Sequence, residues 1–106
     1  MLVCQWHLDI VYGKQADAVR IMRAWGADKF AASEFRRARG SRLLAGLVGP
    51  SASHRVDEYS FETLADFEAA LAGMGTPQFR QHSDALAPLI VPGSQRWVVY
   101  RVLDQS

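Results

Sequence analysis

His7 stands between Gln5 and Asp9 at two-residue spacing, in the run Leu2–Tyr12. If that run is a strand, all three share one face. A histidine beside a carboxylate keeps one tautomer and takes a proton near neutral pH. Glu58 is the carboxylate expected to orient it: it lies mid-run in Arg55–Phe61, and its same-parity neighbours are His54, Val56 and Ser60. Tyr100 shares parity with Arg96, Val98 and Val102, and its hydroxyl would donate to an oxyanion formed when a proton is removed. The candidate catalytic set is therefore His7 as proton acceptor, Glu58 as its orienter and Tyr100 as donor. Arg42 at the mouth of the same cavity would hold an acidic substrate through paired donors, with Gln5 beside His7 and His82 as a roof. Each residue has a plainer reading. His7 and Glu58 can be a satisfied polar pair in an interface, Arg42 a surface ion-pair partner and His82 a surface side chain. The face of the last strand also stays open, because Trp97, Val99 and Leu103 are as apolar as the opposite parity.

Other chemistry is thinner. His7, His54 and His82 lie on separate segments with no close pair, so no metal site is expected. The single cysteine, Cys4, excludes an intrachain disulfide and reads as a small core residue. Arg36, Arg37, Arg39 and Arg42 form a basic cluster, but Glu34 interrupts its start and a helix C-terminus also attracts cations. Twelve Lys+Arg against eleven Asp+Glu give a formal charge of +1, without the basic excess of a nucleic-acid binder. The sequence has no G-x-S-x-G, phosphate loop or G-x-G-x-x-G, and no flavin, haem or metal motif, so no cofactor is expected. Its apolar runs are strand-sized, far short of the ~20 residues that span a bilayer. The N-terminus lacks the pattern of a secretory leader, and with one free thiol this points to the cytoplasm.

The elements that must position these residues follow from periodicity. At 106 residues the chain is read as one domain, 1–106. Leu2, Cys4, Trp6, Leu8, Ile10 and Tyr12 alternate with a polar set, a strand signal. After Gly13, the residues Ala18, Val19, Met22, Trp25, Gly26 and Phe30 recur at helical spacing, with Arg20, Arg23, Ala27 and Lys29 mostly off that stripe. The helix is expected to run through Phe35 toward Arg39, with Gly40 as its stop. Leu43–Val48 and Arg55–Phe61 read as a hairpin across Gly49–Ser53. Thr63 caps a helix whose buried stripe is Leu64, Phe67, Leu71 and Met74. Pro77 opens a second short helix, and Arg96–Leu103 is the last strand. The resulting βαββαβ order is an α+β, ferredoxin-like arrangement with a four-stranded antiparallel sheet. That fold usually orders its strands 4-1-3-2 with both helices on one face. The bare face would expose Val, Tyr and Leu side chains unless a second copy covered it.

Ser60–Leu71, reading S-F-E-T-L-A-D-F-E-A-A-L, resembles the strand-to-helix junction of the dimeric α+β barrel superfamily, closest to its NIPSNAP-type and antibiotic-biosynthesis-monooxygenase-type domains. Tyr12-Gly13-Lys14 and Arg96–Arg101 fit the same pattern. The resemblance implies the fold and a homodimer whose sheets enclose a barrel, and transfers no catalytic residue. It also implies a range of activities that includes cofactor-free oxygenases. With the polar set around His7, the expectation is a small-molecule-binding protein, a cofactor-independent oxygenase or isomerase acting on a small aromatic or polar ligand. The alternative is a non-catalytic ligand-binding or protein-interaction module.

Overall fold

The structure is a computed structural model and describes residues 1–104. Four strands, β1 (Leu2–Asp9), β2 (Gly40–Ala45), β3 (His54–Phe61) and β4 (Arg96–Arg101), alternate with helices α1 (Gln15–Ala32), α2 (Leu64–Ala72) and α3 (Pro77–Leu86). The strands pair antiparallel in the order β2-β3-β1-β4, the ferredoxin-like order read from the other end.

Alternation decides which side chains meet the helices. Cys4, Trp6 and Leu8 of β1 are buried on the helix side. In register with them are Tyr59, Asp57 and Arg55 of β3, and Val99 and Trp97 of β4. Trp97 therefore belongs to the helix side, where it stacks on Trp6 at 6.4 Å and meets Phe67 edge-on at 5.1 Å. This resolves the open parity of the last strand. Two apolar clusters fill the layer. One gathers Trp6, Met22, Trp25, Phe79 and Leu86 between α1, α3 and β1; the other gathers Phe35, Tyr59, Phe61 and Phe67 under α2.

Local chemistry sets the helix ends. The Thr63 hydroxyl accepts from the Asp66 backbone N–H and starts α2. α1 stops at Ala32, earlier than its periodicity suggests. Ser33 turns extended, its hydroxyl donating to the Lys29 carbonyl and accepting from the Phe35 N–H. Glu34–Arg37 then makes a separate 3-10 turn. Gly40 consequently opens β2 instead of closing a helix, and β2 lies three residues earlier than Leu43–Val48. Leu47 and Val48 fall in the hairpin loop, with Leu47 92% exposed. Gly46 is required in that loop, since a Cβ there would meet the Ser51 carbonyl oxygen at 1.9 Å. β1 likewise ends at Asp9, and Ile10 makes only an isolated bridge to Ile90.

Among the described residues no helix covers the opposite sheet face. This face displays Val3, Gln5, His7 and Asp9 from β1, and His54, Val56, Glu58 and Ser60 from β3. Arg42 and Leu44 of β2 flank these on one side, and Arg96, Val98 and Tyr100 of β4 on the other.

Candidate functional site

On this open face the strand register assembles one continuous polar chain. His54 sits opposite Asp9 and Glu58 opposite Gln5. His54 Nδ1 is 2.7 Å from Asp9 Oδ1, His54 Nε2 is 2.8 Å from His7 Nδ1, and His7 Nε2 is 2.8 Å from Gln5 Oε1. The Gln5 amide donates to Glu58 Oε1 at 2.9 Å, and Arg42 Nε donates to Glu58 Oε2 at 2.6 Å. Six side chains on three strands are thus linked end to end, from Asp9 to Arg42.

Glu58 is 5% exposed. The Arg42 hydrogen bond holds its carboxyl below the usual range, and burial, which pushes upward, is outweighed with the help of Gln5 and the Arg42 charge. The ionised Glu58 has no proton to give, so the Gln5 NH2 must face it and the Gln5 oxygen must face His7. His7 is pushed below the ordinary imidazole range by burial first, then by the Arg96 guanidinium and by His54. Arg96 stands opposite His7 on β4, and among the described residues it has no ion-pair partner.

The sequence-based candidates distribute unevenly. His7 and Glu58 both point away from the helices, but they do not touch; Gln5 bridges them, so any orienting by Glu58 passes through that amide. Arg42 is spent on Glu58 and is not an open clamp. Tyr100 shares the face and is 57% exposed, yet it pairs with Val3, four residues along β4 from Arg96. That spacing is roughly 13 Å at the usual strand rise, so within one chain Tyr100 is not a donor beside His7, where Arg96 stands. His82 is on the other side of the sheet: its ring bonds Asp28 of α1 and stacks on Trp25 at 6.2 Å. It tethers α3 to α1 and roofs nothing near His7. His54, the direct partner of His7, was legible only as a parity neighbour of Glu58.

Sequence reasoning also missed a helix-side cluster. Lys29 is 3% exposed. Its ammonium lies 3.3 Å from both Asp57 Oδ2 and the Tyr59 hydroxyl, and 4.4 Å from the Trp25 ring centroid. The Tyr59 hydroxyl donates to Asp57 at 2.9 Å. Lys29 completes the spacing Ala18, Met22, Trp25, so the signal was present, but its charge placed it off the stripe. Burial lowers its pKa, and Asp57 pulls the other way. A cavity of about 180 Å³ opens beside it, lined by Trp6, Trp25, Phe35 and Trp97 among others. The Trp25 indole N–H is buried and has no hydrogen-bond partner among the described residues. Among the described residues no group of three or more His, Cys, Asp or Glu is placed to hold a metal ion.

Neither a family model nor a curated protein matches the sequence. Solved structures do match in shape. A NIPSNAP family protein from Agrobacterium tumefaciens superposes with a TM-score of 0.78 at 19% identity, over 99% of this chain and 95% of that one. SnoaB, a cofactor-independent oxygenase from Streptomyces nogalater, gives 0.70 at 19% identity, over 98% and 95%. An antibiotic biosynthesis monooxygenase gives 0.69 at 12% identity, over 98% and 100%. At these identities the likeness is one of fold, and it covers nearly the whole chain: the protein has the ferredoxin-like α+β fold of the NIPSNAP and antibiotic-biosynthesis-monooxygenase domains.

Proposed function

We propose that the open sheet face is a small-molecule site at which His7 exchanges a proton with an acidic ligand, a phenol or an enolisable carbonyl compound, enclosed by a second copy of the chain. The observation that carries this reading is the chain of six hydrogen-bonded side chains on a face that no helix covers. Both ring nitrogens of His7 are engaged, so a ligand hydroxyl must take the place of Gln5 at Nε2. Arg96, opposite His7 and without an ion-pair partner among the described residues, is suited to the negative charge that develops. Tyr100 would contact the ligand farther from His7. The chemistry is that of an isomerase or of a cofactor-independent oxygenase, in which the ligand anion itself would react with oxygen. SnoaB, which shares the fold, is a cofactor-independent oxygenase.

The test uses 2-naphthol, whose anion absorbs and fluoresces apart from the neutral form. The native chain is expected to raise the naphtholate fraction at fixed pH, and His7→Ala to abolish that rise while its mass in solution matches the native chain. No rise, or an equal rise with His7→Ala, overturns the reading.

The cavity beside Lys29 favours a second reading, non-catalytic binding of a small aromatic anion on the helix side. Benzoate would then quench tryptophan fluorescence in the native chain and not in Lys29→Met. Equal quenching in both would remove it.

A further inference from the structure

The hydrogen-bond chain around His7 fixes a proton count. Three links run from Asp9 to Gln5: Asp9 to His54, His54 to His7, and His7 to the Gln5 oxygen. Each link holds at most one proton. The Asp9 carboxylate and the Gln5 oxygen can only accept, and Glu58 fixes the Gln5 orientation. His54 Nδ1 and His7 Nε2 must therefore both carry hydrogen, and the central link needs one more on His54 Nε2 or His7 Nδ1. Two neutral imidazoles carry two ring protons; filling three links takes three. With two, one pair of lone pairs must face each other at 2.7–2.8 Å. With four, two N–H groups collide across the central link.

We propose that His7 and His54 share a third ring proton as a unit, and that His54 and Asp9 are the positioning residues through which His7 passes its proton to solvent. The inference rests on the proton-transfer reading above and adds the route. Release of the third proton leaves His7 Nδ1–H donating to His54, His54 Nδ1–H donating to Asp9, and His7 Nε2 bare against the Gln5 oxygen. The bare nitrogen repels Gln5 and accepts a donor in its place. A ligand O–H that enters breaks, leaving its electron pair on oxygen, and its proton bonds to His7 Nε2. The Nδ1 proton of His7 moves to His54 Nε2, and the Nδ1 proton of His54 moves to the Asp9 carboxylate. The Asp9 side chain, 43% exposed, hands it to water. Gln5 carries no transferable proton and closes the route toward Glu58.

The charged and titratable groups facing the pair are Asp9 on β1, Glu58 on β3, Arg42 on β2 and Arg96 on β4. Burial, Arg96 and His54 disfavour the charged form of His7 and so oppose the third proton, while the Asp9 carboxylate, 2.7 Å from His54, faces the pair with the opposite charge. Interacting sites of this kind titrate as a pair in separate steps.

The test is a pH titration of the ¹⁵N-imidazole signals of the native chain in its native oligomeric state, with His82, tied to Asp28 on the far side of the sheet, as internal control. Asp9→Asn can present an N–H to His54 Nδ1, which satisfies all three links with only two ring protons. Its pair is expected to release the third proton about 1 pH unit or more lower than the native pair, a tenfold loss of proton affinity, with His82 unmoved. His54→Gln keeps a hydrogen-bonding group beside His7 without a titrating ring, and His7 should then titrate in a single step. It also provides the test if Asp9→Asn does not fold. Superimposable native and Asp9→Asn titrations, or two-step titration of His7 in His54→Gln, overturn the proposal. The titration needs no ligand, so the two readings fail separately. A shared third proton without a naphthol response overturns only the proposed function. A naphthol response with superimposable titrations overturns only the relay.

Discussion

Charge and burial set the behaviour of single residues here, and two of them make clear predictions. Glu58 is held ionised, chiefly by the Arg42 hydrogen bond. A carboxylate whose native pKa is depressed contributes stability above its unfolded value, near 4.5, and loses it as pH falls through the native value. Urea midpoints of the native chain and Glu58→Gln should therefore differ at pH 7 and converge as pH falls well below 4.5; a constant gap would show that Glu58 acts through packing alone. Lys29 is the second case. Removing its ammonium with Lys29→Ala leaves Asp57 without its cation, next to packed aromatic rings, and should cost ~3–5 kcal/mol, read as a shift in the urea midpoint. A shift within error would mean that Asp57 is satisfied by Tyr59 and solvent. These residues also mark what the sequence discloses. Parity alone placed His7 and Glu58 on one face, because alternation is encoded residue by residue. It could not say that Gln5 bridges them or that His54 meets His7, because those contacts depend on register between strands fifty residues apart. Lys29 is hidden differently: it reads as off the helical stripe with the other basic residues, and its burial is made tolerable by Asp57 and Tyr59 on β3, which neutralise and bond it.

Elements were legible where periodicity and punctuation agreed. α2 has its Thr63 cap and part of the expected stripe: Phe67 is buried and Leu71 and Met74 are half-buried, but Leu64 is 52% exposed and Ala70 is buried instead. Phe67 is buried against Phe61 at 5.8 Å and Trp97 at 5.1 Å. Phe67→Ala should cost ~3–5 kcal/mol, as large truncations in packed cores do, and an unchanged melting temperature would show that these contacts do not hold the layer together. β2 was misplaced because Leu43–Val48 is almost wholly apolar and carries no alternation to fix its ends. What sets its register is pairing with β3, Arg42 opposite Glu58 and Ser41 opposite Tyr59. The end of α1 was missed for a related reason. Its apolar pattern continues to Phe35, but the Ser33 hydroxyl bonds backbone groups on both sides of the break, and such a competitor for helical bonds is a weak signal in a single sequence.

At the scale of the whole molecule the open question is what covers the second sheet face. No helix among the described residues is long and apolar enough to cross a membrane, and the helices packed on the sheet lie on the side of Trp6 and Tyr59. The other face combines Val3, Val56, Val98 and Leu44 with Tyr100 and the buried Glu58. That mixture suits a protein surface better than bulk water, because the apolar side chains gain by burial and the polar ones are already bonded to one another. A second copy related by a two-fold axis would present the same surface to itself. Light scattering at micromolar concentration should then give about twice 11.8 kDa. Tyr100 makes no hydrogen bond among the described residues and projects from the edge strand β4, so Tyr100→Glu should leave the fold intact while placing like charges across the interface. The expected result is at least a tenfold weaker dimer, ~1.4 kcal/mol in association free energy, with unchanged far-ultraviolet circular dichroism. A native chain that stays monomeric at these concentrations would remove both the enclosure and the desolvation that the face needs to hold a ligand against His7.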